Sequence, residues 1–253
     1  MPKNLKALGF ICLLLVFVTG IVVAESSLEE RLEEVEELSS EIWQLDDDEQ
    51  ADEKEQLLIT RVDSVEEIMA EYPNEVEVYW KAAEAYHDLA FHRENVIDYL
   101  EQAKEYAQES ITLAPDKAVG YFWRGALTGQ IGLEEGIRAS LSSVEPMKED
   151  LEQAIEIDPD FAAAYDALAQ LYINVPGWPI SIGDDDTALE YRQESVRLEP
   201  NNFNYQWQLY KNYQEVGDDT RAQEVLENIL EIPEDEEQSN AEEIREKARQ
   251  ELN

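Results

Sequence analysis

Five prolines divide most of this chain into segments of similar length, and each proline closes a stretch with apolar residues at helical spacing. The successive spacings are 42, 44, 41 and 33 residues between Pro73, Pro115, Pro159, Pro200 and Pro233. After each of the first four prolines, a short polar step leads into a new helical pattern, such as N-E-V-E-V-Y-W-K-A-A-E-A-Y. Recurrence at this period is typical of arrays in which each hairpin buries its apolar face against its neighbours. The sequence therefore predicts an all-α array with four related helical hairpins over residues 73–233.

Related side chains recur at fixed positions after the prolines. Six residues after them stand Tyr79, Tyr121, Tyr165 and Gln206; ten after stand Ala83, Gly125, Ala169 and Tyr210; thirteen after stand Tyr86, Thr128, Tyr172 and Tyr213. These spacings place an aromatic, a small and a second aromatic residue on one helix face, where the small residue lets a partner helix approach closely. With its terminal proline, this order resembles the tetratricopeptide repeat.

The lengths of the units depart from a plain tetratricopeptide array of about 34 residues per repeat. Only the last unit, residues 201–233, fits that length, and the other three are longer by roughly 7 to 10 residues. The extra residues fall between the two helices of a unit, as in G-L-E-E-G-I-R-A-S-L-S-S-V and N-V-P-G-W-P-I-S-I-G-D-D-D. We therefore expect a superhelical array of antiparallel helix hairpins with inter-helix insertions.

Helical patterns also flank the four units. Residues 25–72 carry two runs of apolar residues at spacings of three and four, separated by D-D-D-E-Q-A-D-E, and we interpret them as an opening, degenerate hairpin. A coiled coil is the alternative, but each run is too short for three or four heptads. Residues 234–253 predict an acidic spacer and a C-terminal capping helix that starts at Asn240, with a narrow apolar stripe of Ala241, Ile244, Ala248 and Leu252.

The first 24 residues have the features of a secretory signal peptide. Lys3 and Lys6 precede an apolar run over residues 7–23, and the small residue Ala24 marks the expected cleavage site. An uncleaved anchor helix is the alternative, since the run is close to the minimum length for spanning a bilayer. Cys12, the single cysteine, lies too close to the N-terminus for lipoprotein processing, and it follows the bulky residues Phe10 and Ile11 where such processing requires small ones. We expect an exported protein, periplasmic or extracellular, without disulfides.

The charge of the chain excludes several classes of function. It has 59 acidic and 19 basic residues and a net charge of -40; residues 25–253, with 17 basic and 59 acidic residues, carry -42. Such a chain does not bind nucleic acid by counterion release, and it is repelled by anionic lipid. With 43% hydrophobic residues it still has enough apolar material for a core, so the acidity does not indicate disorder.

No catalytic constellation is visible in the sequence. The two histidines, His87 and His92, are five residues apart and do not share one helix face, which argues against a metal site. Carboxylates occur everywhere, so no acid–base pair stands out. Ser181 lies outside any G-x-S-x-G motif, and Asp184 or Asp186 is better interpreted as a helix cap than as a calcium ligand. We expect a protein that is not an enzyme and needs no cofactor or metal.

The concave side of the array is the candidate binding surface. In such arrays the residue seven after each proline points into it; here these residues are Trp80, Phe122, Asp166 and Trp207. The flanking side chains on this surface would be Glu84, His87, Gln170, Asn174 and Lys211. This surface would bind an apolar organic ligand or a peptide, unless the insertions fold back and make the rings part of the core. Trp178 is a lid, an oligomer contact or the plug of its own hairpin.

Several segments carry a more specific resemblance. G-Y-F-W-R-G-A-L-T-G-Q-I-G-L-E-E-G-I-R-A-S-L, M-K-E-D-L-E-Q-A-I-E-I-D-P-D-F-A-A-A-Y and P-G-W-P-I-S-I-G are similar to two related families, the T components of TRAP transporters and the regulators of microtubule dynamics. The signal peptide favours the former. That resemblance implies a self-associating periplasmic repeat protein that docks a solute-binding protein and assists uptake of an organic solute. The alternative is a general assembly adaptor that recognises a peptide or protein tail.

We predict that high salt stabilises the fold. Residues 25–253 contain seven lysines against 59 acids, so most carboxylates have no cationic partner, and their repulsion contracts in range from roughly 10 Å at 0.1 M salt to about 3 Å at 1 M. This composition is typical of a halophilic source; for an exported protein, selection for solubility or an acidic face for a cationic partner is the alternative explanation. The melting temperature should rise between roughly 0.1 M and 2 M sodium chloride by more than that of a neutral helical-repeat control, which salt also stabilises. A flat or falling melting temperature would refute the prediction.

Overall fold

The computed structural model describes residues 27–45, 50–233, 238 and 240–252. The predicted signal peptide, residues 1–24, and most of the predicted acidic spacer lie outside the described residues. Within the described part, the secondary structure is α-helical, and the one β feature is an isolated bridge between Gly177 and Gly183. None of these helices is both long and apolar enough to cross a membrane.

Eleven α-helices follow one another in the described residues. They are α1 Leu28–Gln44, α2 Ala51–Glu71, α3 Val76–Ala90, α4 Val96–Leu113, α5 Ala118–Glu135, α6 Ile137–Ile157, α7 Ala162–Asn174, α8 Asp185–Leu198, α9 Phe203–Glu215, α10 Asp219–Glu231 and α11 Ala241–Glu251. Each helix packs mainly on the helix before it and the helix after it, and α5 also contacts α3 and α7. The predicted all-α repeat array is therefore confirmed.

In three of the four units, the residue six after the proline hydrogen-bonds to the proline carbonyl and so fixes the start of the unit. The Tyr79 hydroxyl donates to the Pro73 carbonyl at 3.0 Å, and Tyr165 does the same to Pro159 at 3.2 Å. In the fourth unit the Gln206 amide donates to the Pro200 carbonyl at 2.8 Å. One geometry thus explains why this position takes a long side chain with a polar tip. Ala83 and Ala169, in the small position, are fully buried.

The extra residues of the second unit lengthen its two helices. α5 and α6 contain 18 and 21 residues and are separated by Gly136, which has a φ of 100°. The two helices approach closely along Gly125, Gly129 and Gly132. A Cβ at Gly129 would meet Met147 Sδ at 2.6 Å, and one at Gly132 would meet Ser143 Oγ at 2.5 Å. These glycines therefore set the distance between α5 and α6.

The extra residues of the third unit form a loop between α7 and α8. Its base is closed by hydrogen bonds from the Gly183 amide to the Pro176 carbonyl at 3.0 Å and from the Asp184 amide to the Tyr172 carbonyl at 3.1 Å. Asp184 then caps α8, since its carboxylate accepts from the Thr187 amide at 2.8 Å, which confirms the predicted capping role. The Trp178–Pro179 peptide bond in this loop is cis.

The last helix covers the end of the array. Ala241, Ile244 and Ala248 are buried against the apolar core of α9 and α10, and Leu252 packs at its edge. Asn240 stands at the N-cap position of α11 but makes no capping bond. Its side chain instead donates to Asn204 at 2.6 Å, which ties α11 to the start of α9.

Candidate functional site

A groove lies between α5, α6 and α7. Residues of each helix recur at spacings of three and four and so form one stripe per helix that faces the groove. The α5 stripe is Phe122, Ala126, Gly129, Gln130 and Leu133; the α6 stripe is Ser140, Ser143, Val144 and Met147; the α7 stripe is Ala163, Asp166, Ala167, Gln170, Leu171 and Asn174. Val175 and Tyr205 complete the lining of a cavity of about 290 Å³.

Small side chains create this volume. Ala126 and Gly129 on α5 face the same space as Ala163 and Ala167 on α7, so neither wall fills the gap between the helices. Phe122 bounds the groove and is held by edge-on contacts with Trp123 and Phe161, at centroid distances of 5.4 and 5.3 Å. The groove therefore presents mainly apolar side chains, with polar groups between them.

The single acidic side chain of the groove, Asp166, forms an ion pair with an arginine that does not line the groove. Asp166 is 8% exposed and forms an ion pair with Arg192 of α8, which is fully buried. Arg192 also donates through Nε to the Asn212 side chain at 3.2 Å, and Asp166 accepts from Gln170 at 2.6 Å. Asp166 is thus already paired within the protein, and the positive charge of Arg192 offsets its negative charge in the groove.

The other polar groups of the groove are neutral. They are hydroxyls of Ser140, Ser143 and Tyr205 and carboxamides of Gln130, Gln170 and Asn174. Burial raises the pKa of Tyr205 to about 12, so its hydroxyl stays protonated at neutral pH. A carboxamide presents both a donor and an acceptor, which are the two groups that a peptide backbone also presents. The groove can hold apolar side chains and hydrogen-bond an uncharged backbone.

Four of the ten residues that the sequence predicted for binding meet in this groove. They are Phe122, Asp166, Gln170 and Asn174. Asp166 differs from the prediction in its role, because its carboxylate already forms an ion pair with Arg192. The other six residues lie elsewhere on the array.

Trp80, Glu84 and His87 lie on α3 beside a cluster of charged groups. Lys81 Nζ lies 4.4 Å from the centre of the Trp80 ring, which is half-buried. The Glu84 carboxylate is 2.9 Å from the buried Arg61, and burial raises the pKa of this carboxyl. The His87 ring contacts the rings of Phe91 and Trp123 at 5.4 and 5.6 Å, so packing and ion pairing account for these three side chains.

Trp207 and Lys211 lie on α9, toward the end of the array. Trp207 is half-buried at the edge of the C-terminal core, with its ring 4.9 Å from that of Tyr210 and Lys247 of α11 at 6.0 Å. Lys211 is exposed. Trp178 is 90% exposed, so it does not plug its own hairpin.

Sequence reasoning missed the α6 wall and the small residues of the groove. Most of the α6 stripe, Ser140, Ser143 and Val144, belongs to the segment interpreted as an insertion between two helices. In the structure this segment is instead the end of α5 and the start of α6, on either side of Gly136. Ala126, Ala163 and Ala167 carry no chemical signal of their own. Stepping by three and four residues from Phe122 and Asp166 would have found them, because this spacing follows one helix face.

These features define a tetratricopeptide-type helical-repeat protein. A solved thermophilic tetratricopeptide-repeat protein of Thermus thermophilus superposes with a TM-score of 0.66, over 89% of this chain and 99% of that one, at 15% identity. At this identity the likeness shows the fold alone. Within the described residues, no three His, Cys, Asp or Glu side chains are placed to hold a metal ion.

The chain belongs to the family of regulators of microtubule dynamics proteins 1–3, whose family model matches residues 38–175. Curated relatives include regulator of microtubule dynamics protein 3 of rat and of mouse, each 25% identical over 181 residues. The alignments cover 64% of this chain but only 38% of either relative. The matched segment contains all three helices of the groove, whereas Tyr205 lies beyond it.

We predict that Asp166 is essential to the fold mainly because it pairs with Arg192. Asp166→Ala should lower the free energy of unfolding by about 3–5 kcal/mol, since it leaves a buried guanidinium unpaired. The double variant Asp166→Ala/Arg192→Met should recover most of this loss, because no buried charge remains. Urea unfolding followed by circular dichroism measures both changes.

Arg197, an exposed residue that lies on α8 like the buried Arg192, provides the control. Arg197→Met removes an ion pair with Glu194 at the surface and should leave the unfolding midpoint nearly unchanged. A double variant that is as unstable as Asp166→Ala alone would show that the buried pair is not the cause.

Proposed function

We propose that this protein is a non-enzymatic interaction scaffold that binds an apolar segment of a protein partner in the groove between α5, α6 and α7. The observation that carries the proposal is an uncharged groove on a chain with a net charge of -40. Apolar side chains placed there leave water, and the free energy of transfer favours the complex.

A peptide segment suits this groove better than an enclosed small molecule. The cavity volume of about 290 Å³ is just below the range for sites that enclose drug-sized ligands, which is roughly 300–1,000 Å³. The carboxamides of Gln130, Gln170 and Asn174 also match the paired donors and acceptors of a passing backbone. The tetratricopeptide-type fold supports the proposal, since stacked hairpins present extended concave surfaces for binding.

A more specific form of the proposal concerns TRAP transporters. The partner would be the solute-binding component of such a transporter, and this protein would be its periplasmic accessory component. The support is the resemblance of the second-unit helices and the P-G-W-P-I-S-I-G loop, together with the predicted leader. Genes for a solute-binding protein and a membrane permease next to this gene would favour this role, and their absence would favour a general adaptor. The microtubule role named for the relatives concerns those proteins.

Export is part of this proposal. Cleavage after Ala24 follows from the basic start, the apolar run and the small residue before Glu25. N-terminal sequencing of the protein recovered from outside the cytoplasmic membrane should therefore begin at Glu25. Recovery of a full-length chain integrated in the membrane would contradict export in this form and would make residues 7–23 an anchor.

A groove-filling variant tests the binding function. A random peptide library displayed on phage is selected on the immobilised protein, and the recovered peptides are titrated by calorimetry. Ala167→Phe places a ring inside the groove and should weaken binding of these peptides by about ten-fold or more, which is the loss of a central contact worth about 1.4 kcal/mol.

Ser142→Phe is the matched control, because Ser142 is exposed on α6 and does not line the groove. It should bind the selected peptides as the unchanged protein does. Failure to recover any peptide, or equal binding by both variants and the unchanged protein, would refute the groove as the binding site.

A further inference from the structure

Large apolar side chains are exposed at one end of the groove. Ile137 is 84% exposed and Trp178 is 90% exposed, and Leu133, Leu141 and Ile180 are exposed as well. We call these five residues the tip patch. They come from two places, the turn between α5 and α6 and the loop between α7 and α8. Groups of exposed large apolar side chains that are rimmed by polar residues mark interaction sites on protein surfaces.

The two parts of the tip patch lie at the same end of the groove. Leu133 itself lines the groove, and Leu141 follows Ser140, another lining residue. On the opposite wall, Asn174 and Val175 line the groove directly before the loop that carries Trp178 and Ile180. A segment that leaves the groove at this end therefore passes the tip patch.

The exposed loop residues are held in position by the backbone. The Gly183 amide bonds the Pro176 carbonyl at 3.0 Å, and the Ile180 amide bonds the Gly177 carbonyl at 3.1 Å. These bonds close the base of the loop and shape its turn, on which the Trp178 and Ile180 side chains are exposed. Presenting apolar side chains on a fixed turn lowers the ordering cost when a partner binds.

Acidic side chains flank the tip patch on both sides. Glu134 and Glu135 follow Leu133, and Asp185 and Asp186 start α8 directly after the loop; all four are exposed. Arg138 is the basic residue next to Ile137 and is outnumbered by these acids. An apolar centre with a negative rim is complementary to apolar side chains flanked by positive charges. The same acids repel anionic lipid headgroups.

We infer that the tip patch docks a cationic amphipathic segment of the protein partner, in which apolar side chains recur at helical spacing between lysines or arginines. This inference rests on the proposed function, because the tip patch continues the groove. It adds the chemical class of the segment, since an uncharged groove by itself does not discriminate between cationic and anionic partners.

Fluorescence anisotropy with synthetic peptides tests the inference. The probe is a short fluorescein-labelled peptide of leucine and lysine with leucines at helical spacing, measured at roughly 0.5 M sodium chloride to screen charges outside direct contact. The double variant Ile137→Ser/Trp178→Ser should bind the probe about ten-fold more weakly than the unchanged protein. Trp43→Ser, which removes an exposed tryptophan on α1, should bind it equally well.

A second peptide with glutamate in place of lysine should bind far more weakly than the probe. Equal binding of the two peptides, or unchanged binding of the probe by the double variant, would overturn the inference. If Ala167→Phe weakens binding of the probe and the double variant does not, the proposed binding function of the groove stands and the inference about the tip patch is wrong. If only the double variant weakens binding of the probe, the inference about the tip patch is supported and the proposed binding function of the groove is wrong.

A vesicle experiment separates a protein partner from a membrane. Phosphatidylcholine vesicles are sedimented with the unchanged protein and with the double variant. Neither should sediment with the vesicles if the tip patch recognises a cationic peptide. If the unchanged protein sediments with the vesicles and the double variant does not, the assignment to a peptide is overturned and the tip patch is a lipid contact.

Discussion

The close approach of α5 to α6 is the contact on which the groove depends. At Gly125, Gly129 and Gly132 there is no room for a side chain between the two helices, so the backbone of α5 packs directly against residues of α6. This brings the α6 stripe of Ser140, Ser143, Val144 and Met147 up to form the second wall. With larger residues in place of the glycines, the helices would stand further apart and the groove would lose its shape.

The electrostatics of the groove follow from one buried pair. The carboxylate of Asp166 would make the groove acidic like the rest of the surface, but Arg192 on α8 lies behind it and balances the charge. The protein thus combines a groove without net charge with a strongly acidic exterior. The two properties meet near the tip patch, which is why we propose a partner segment that is both apolar and basic.

Much of the fold was predictable from the sequence because repeats are encoded locally. The prolines, the small residues and the helical spacing of apolar side chains each depend on contacts within one hairpin or with the next, which are close in sequence. The polar tips of Tyr79, Tyr165 and Gln206 bind carbonyls only six residues earlier. The Asp184 cap is equally local, since its partner is Thr187.

The sequence by itself determined that this protein is an all-α array of related hairpins with an acidic surface, and of the ten binding residues that it predicted, Phe122, Asp166, Gln170 and Asn174 line one groove. Only the tertiary structure decided which of the predicted residues share one groove. It also decided that Asp166 pairs with Arg192, that the second-unit insertion is a wall, and that Trp178 is exposed. The reason is physical: these outcomes depend on how neighbouring helices are spaced and oriented against one another, and helical periodicity fixes the face of a residue but not what lies opposite it.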